Sequence, residues 1–232
     1  MPNHSERPHL MEQRWLNLLF AHWPVDPAVI RPLIPAGLEL DLWEGKAWIG
    51  VVPFEMRGIA HRSGLPILGA SAFPELNVRT YVVRDGVKGV WFFSLDAGSR
   101  LAVWGARRFF HLPYFKARFA VKTERDGLAY RMERGEKARF SGKYRPQGPS
   151  FKARPGTLAQ FLTERYCLYA ADKAGGLYRG EIAHEPWTLQ AASLDLQVNT
   201  VAAAAGIELP ATAPHLLFAK ELKVQVWGLD RL

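Results

Sequence analysis

The chain has 232 residues, 48% hydrophobic and 12% aromatic, and a formal net charge of +8. That is enough apolar material for one large core, and the length suits an undivided barrel, so residues 1–232 are read as a single domain. No run reaches the roughly 18 apolar residues of a membrane span, the polar start lacks a signal-peptide core, and Cys167 is the lone cysteine, so a soluble cytoplasmic protein is expected.

In chain order, a strand is expected through residues 15–20. A helix follows from Asp26-Pro27, a cap residue with proline behind it, and ends at Pro35-Ala36-Gly37. Residues 38–42 and 46–54 flank a turn at Trp43-Glu44-Gly45. Residues 77–83 and 90–95 flank a loop containing Asp85-Gly86, whose chemistry favours a tight hairpin. A further pair, 117–123 and 128–134, turns at Arg125-Asp126-Gly127, and another strand covers 137–144.

Residues 157–171 are expected to form the main helix, because Leu158, Phe161, Leu162, Arg165, Tyr166 and Tyr169 recur at three- and four-residue spacing. Strands are expected at 177–183, 194–201 and 222–227, while Ala202-Ala203-Ala204-Ala205 fits a strand end or a short helix. Strands dominate, two main helices interrupt them, and no βαβ alternation occurs. The fold class is therefore α+β, mainly β, an antiparallel barrel or sandwich.

No phosphate-binding loop, dinucleotide turn, nucleophile elbow or metal-ligand spacing is present, so neither cofactor nor metal is expected. Charge is concentrated in residues 100–154, with fifteen Lys/Arg against four Asp/Glu. Lys116, Arg118, Ala120 and Lys122 alternate with apolar residues, as on the solvated face of a strand. That reading is preferred to nucleic-acid binding. Glu75, Asn77, Arg79 and Tyr81 also alternate and share one strand face, which is either a solvent face or the lining of a cavity.

Three stretches carry a resemblance. They are Leu19-Phe20-Ala21-His22-Trp23-Pro24-Val25-Asp26-Pro27 with its continuation to Asp41, Phe73-Pro74-Glu75-Leu76-Asn77-Val78-Arg79-Thr80-Tyr81, and Phe161-Leu162-Thr163-Glu164-Arg165-Tyr166 followed by His184-Glu185-Pro186-Trp187. Together they resemble the YqjF-like family of uncharacterised bacterial proteins. At a greater distance the first half is similar to acetoacetate decarboxylase, which implies an antiparallel barrel around a mostly apolar cavity. That enzyme forms an imine on a lysine whose pKa an adjacent lysine depresses.

The lysine pair is missing here. After Ala106-Arg107-Arg108 and Pro113 the two positions read Tyr114 and Phe115, and Lys116 falls one residue later, on the opposite strand face. The resemblance places Glu75 at the active-site carboxylate and Arg107 at the arginine of the enzyme's Gly-Arg-Glu run. His111 and Tyr114 flank the lost lysine position. It thus implies Glu75 and Tyr114 as catalytic residues, with Asn77, Arg79, Arg107 and His111 as substrate-binding residues. His184 is read as structural. The expected ligand is an anionic or carbonyl-bearing small molecule, bound by an acid–base enzyme without imine chemistry or by a non-catalytic binding protein. A homo-oligomer is left open.

Overall fold

A computed structural model describes residues 7–67 and 72–232. In chain order the elements are β1 (Met11–Val25), α1 (Pro27–Ile30), β2 (Glu39–Leu40), β3 (Ala47–His61), β4 (Ala72–Arg84), β5 (Val87–Ala97), α2 (Arg100–Phe109), β6 (Tyr114–Lys116), β7 (Arg118–Glu124), β8 (Gly127–Arg134), β9 (Ala138–Lys152), α3 (Leu158–Thr163), β10 (Cys167–Ala171), β11 (Leu177–Ala183), β12 (Thr188–Asn199) and β13 (His215–Arg231).

Seven strands form a closed ring in the order β1-β3-β4-β5-β10-β11-β13, and β13 pairs back onto β1. Closure removes the free edges that an open sheet exposes. The ring is antiparallel except where β10 runs beside β5, and β6 adds a second parallel contact to β5. The long β13 also serves a second layer. Its residues 225–231 pair with β11, while Leu217, Phe218 and Ala219 pair with β12, which leads through β9 and β8 to β7.

That second layer lies against the outside of the barrel. Leu19, Ala21, Ile49, Val51, Leu76 and Val78 face outward and share a core with Leu128, Tyr130, Met132, Phe140 and Tyr144 of β8 and β9. Their alternate neighbours Leu18, Phe20, Val52 and Phe54 face inward. Strand period two thus divides the sequence into two cores. Asn17, at φ +55°, sits where the β1–β3 register shifts between Leu16 and Ala21, a bulge that bends the strand around the barrel.

Asp85 and Gly86 turn the β4–β5 hairpin with φ of +51° and +75°, the geometry their side chains favour. Residues 43–45 also turn as expected. However, β2 pairs with β4 rather than β3, leaving a single Trp43–Lys46 bridge at that turn.

The helices depart most from the sequence reading. Asp26 does cap Ala28, but α1 lasts four residues before a 3₁₀ turn takes over. The expected helix over 157–171 ends at Thr163. Cys167 and Tyr169 then alternate inside a strand pinned between β5 and β11, so tertiary pairing overrides the helical spacing. The longest helix among the described residues, α2, is capped by Ser99 and lies in a segment read for its charge and for the Ala106-Arg107-Arg108 run but not as a helix. Among the described residues no helix is long and apolar enough to cross a membrane.

At the β8–β9 pairing a Cβ on Gly127 would lie 2.2 Å from the Tyr144 carbonyl oxygen, a backbone atom with little room to yield. Gly127→Ala is expected to cost about 1–3 kcal/mol, as other overpacked sites do. Urea denaturation measures this, and an unchanged midpoint would contradict the pairing described.

Candidate functional site

Inside the barrel, β4 presents Glu75, Asn77 and Arg79 to a cavity of about 340 Å³. Beside them on the same wall stand apolar side chains, Phe73 of β4, Val52 and Phe54 of β3, and Phe92 and Leu95 of β5. The solvent-face alternative for this β4 face is thereby excluded, because all of Glu75, Asn77, Arg79 and Tyr81 are buried. Strand rise separates Glu75 from Arg79 by about 13 Å along β4. Leu101, Trp104 and Phe109 of α2 line the end beyond Phe73, and Thr163 and Arg165 at the end of α3 line the other.

The carbonyls ending α3 have no helical partners and are satisfied by side chains. Leu162 accepts from the Tyr81 hydroxyl (2.7 Å) and from Arg79 Nη2 (3.2 Å), Phe161 from Arg165 Nε (2.8 Å), and Thr163 from the Trp187 indole (2.9 Å). Tyr81 spends its one proton on Leu162, so His22 Nε2, 2.6 Å from that oxygen, is the donor of the pair. Burial, and then the nearby Arg79 charge, hold the His22 pKa well below its ordinary value, so the ring is neutral.

The two buried arginines differ. Arg165 Nη1 lies 2.6 Å from Asp41 Oδ2, and this carboxylate also meets Lys88. Arg79 has no carboxylate partner among the described residues. Its Nε is unbonded, and besides the Leu162 carbonyl its guanidinium meets the rings of Phe20 and Tyr81, at 5.4 and 5.8 Å.

Glu75 is an acid kept from ionising. Burial pushes its pKa from 4.5 to about 8, against the opposing pull of hydrogen bonds from Tyr114 and Asn77. Tyr114 donates to Glu75 Oε2 at 2.9 Å, and burial raises its own pKa well above the usual phenol value. Asp96 adds repulsion from behind the sheet. Its own pKa is raised to about 6 by burial despite Arg134, whose Nε lies 2.9 Å away but off the angle of a hydrogen bond. Asn77 Oδ1 is buried and unpartnered, leaving an acceptor at the cavity wall.

Of the residues singled out from sequence, Glu75, Asn77, Arg79 and Tyr114 are brought together on one cavity. Arg107 and His111 are not. Arg107 is exposed and donates to the Tyr114 carbonyl at 2.5 Å, and the His111 ring lies tilted against that of Tyr178, 4.7 Å between centroids. Both lie outside the lining because α2 ends and β6 begins at the barrel rim. Lys116 is exposed, with Nζ on the Gly98 and Ala117 carbonyls, and among the described residues no lysine lines the cavity. Nor do any three His, Cys, Asp or Glu side chains of the described residues group as a metal site requires.

Sequence reasoning missed His22, Thr163 and Arg165. His22 was legible, since it continues the inward series Leu18, Phe20. Arg165 was not, because it turns inward only when the helix stops at Thr163.

The sequence pattern of DUF2071, described as an uncharacterized conserved protein, matches residues 12–223. Uncharacterized protein YqjF of Bacillus subtilis (strain 168) is 47% identical over 225 residues, 96% of this chain and 92% of that protein. Among solved structures, the enduracididine biosynthesis enzyme MppR complexed with pyruvate superposes with a TM-score of 0.71 at 12% identity, over 99% of this chain and 93% of that one. Acetoacetate decarboxylase from Legionella pneumophila gives 0.67 at 14% identity, over 100% and 92%. At such identities the likeness establishes the fold, which is acetoacetate-decarboxylase-like. The chain belongs to the DUF2071 family.

Proposed function

We propose that this member of the DUF2071 family binds a small organic acid bearing a carbonyl group inside its barrel, and acts on it by proton transfer rather than through an imine. The observation that carries this reading is Arg79, a buried guanidinium without a carboxylate partner on the wall of an apolar cavity. A charge so placed costs several kcal/mol unless something neutralises it, and a ligand carboxylate does so with paired hydrogen bonds. Asn77 and Glu75 follow along the same strand face. At neutral pH Glu75 holds its proton and can lend it to a carbonyl oxygen. The carboxylate left behind keeps its hydrogen bond from Tyr114 until the proton returns. MppR, bound to pyruvate in its crystal, supports keto acids as the first compounds to try.

The test is thermal stabilisation by pyruvate and acetoacetate, with borohydride added in parallel. Saturable stabilisation without a trapped adduct is expected, because no lysine of the described residues reaches the cavity. If neither compound nor any longer keto acid stabilises the protein, the reading fails. A trapped adduct would restore imine chemistry. Binding without turnover of any keto acid would instead favour a non-catalytic binding protein on the same scaffold.

A further inference from the structure

The cavity is larger than a three-carbon keto acid requires, and its polarity is confined. At about 340 Å³ it lies within the range of pockets for bulkier ligands, roughly 300–1,000 Å³. Its polar groups are Glu75, Asn77 and Tyr114 midway and Arg79, Thr163 and Arg165 at the α3 end, with Gln13 and His184 also on its lining. From Glu75 toward α2 the walls are mostly hydrocarbon, formed by Phe54, Phe73, Leu95, Leu112 and Ala106, with Gln13 of β1 the polar side chain on that side. They end at Trp104 and Phe109, which meet edge to face at 5.7 Å and are each more than half exposed. Exposed aromatics on a capped helix at the rim of an apolar cavity are an unusual use of surface. A hydrocarbon chain passing beneath them would cover them.

We infer that the ligand is a 2-oxo acid with an apolar chain, its carboxylate on Arg79 at the closed end and its chain running past Phe73 and Leu95 to α2. This rests on the reading of the cavity as a carboxylate site and adds the length and character of the rest of the molecule. With the carboxylate on Arg79, the adjacent carbonyl falls toward Asn77, two residues along the strand, with Glu75 further on. The chain then has mainly apolar neighbours, with Gln13 the polar exception, until it reaches Trp104. Each methylene it buries strengthens binding by about fourfold.

Calorimetry on the full chain with straight-chain 2-oxo acids from pyruvate to 2-oxooctanoate tests this, with octylamine as a chain of opposite charge. Affinity is expected to climb with each carbon and octylamine to bind no better than pyruvate. Equal affinity across the series, or binding of octylamine as tight as that of 2-oxooctanoate, would overturn the inference. Pyruvate binding with a flat series leaves the carboxylate reading intact, whereas no binding at any length removes both. Ala106→Phe narrows the α2 end. It is expected to erase the gain from the longest chains, and a gain that persists in full would place the chain elsewhere.

Discussion

Arg79→Met is expected to weaken keto-acid binding at least thirtyfold and, in the same stroke, to make the empty protein more stable by about 1–4 kcal/mol. The two effects share one cause. In the empty barrel the guanidinium keeps one hydrogen bond, to the Leu162 carbonyl, and two ring contacts, to Phe20 and Tyr81. A closely seated, desolvated ring contact is worth about 2 kcal/mol, and these two, near the roughly 6 Å limit of such contacts, contribute less. Burying the charge costs several kcal/mol, so the cost wins and methionine of similar reach relieves it. Removing the cation also removes one cause of the depressed His22 pKa. Urea denaturation and calorimetry on the same two proteins measure both quantities. A less stable variant that still binds would mean that Arg79 is structural.

Arg165→Met should behave in the opposite way. It strips Asp41 of a partner 2.6 Å away and leaves a buried carboxylate with only the exposed Lys88 beside it. Breaking such a pair destabilises, where removing an unpaired charge does not. This contrast separates the two cavity arginines by chemistry, not by position.

How much of this was legible in the sequence depends on which physical signal governs each residue. The inward set Glu75, Asn77 and Arg79 follows from strand periodicity, and Asp85-Gly86 fixes the hairpin that places it. Periodicity could not say whether that face meets solvent or cavity, because the answer lies in ring closure between β1 and β13, about two hundred residues apart in the chain. Arg165 and Cys167 show the converse failure. Arg165 belongs to a three- and four-residue series with Phe161, Leu162 and Tyr169 that is compatible with a helix, and only pairing of β10 with β5 and β11 makes the part from Cys167 a strand. Arg107 was misplaced for a related reason. A residue near the end of α2 follows the helix surface rather than the barrel wall, and the motif that drew attention to it records sequence position alone.

Glu75→Gln is expected to reshape the pH dependence of stability. The folded-state pKa of Glu75 is raised from 4.5 to about 8, so between those values the folded protein keeps a proton that the unfolded chain has released. Stability therefore falls as pH rises through this window, by about 1.4 kcal/mol per unit and on the order of 4–5 kcal/mol in all, and is flat above it. Glutamine fits the same space, still accepts from Tyr114 and carries no proton to lose. Other groups titrate nearby. Asp96, raised to about 6, adds a slope of the same sign below that pH. His22 and His215, with lowered pKa values, add the opposite sign as pH falls through 6.5. Those contributions are common to both proteins, so the difference between the two stability curves isolates Glu75. That difference should be near zero at pH 4.5, grow steadily in favour of the variant and level off above pH 8. Parallel curves from pH 5 to 8 would mean that Glu75 is ionised inside the barrel. The cavity would then offer Arg79 a neighbouring anion of its own, and the case for a ligand carboxylate would lose its footing along with the case for a proton donor.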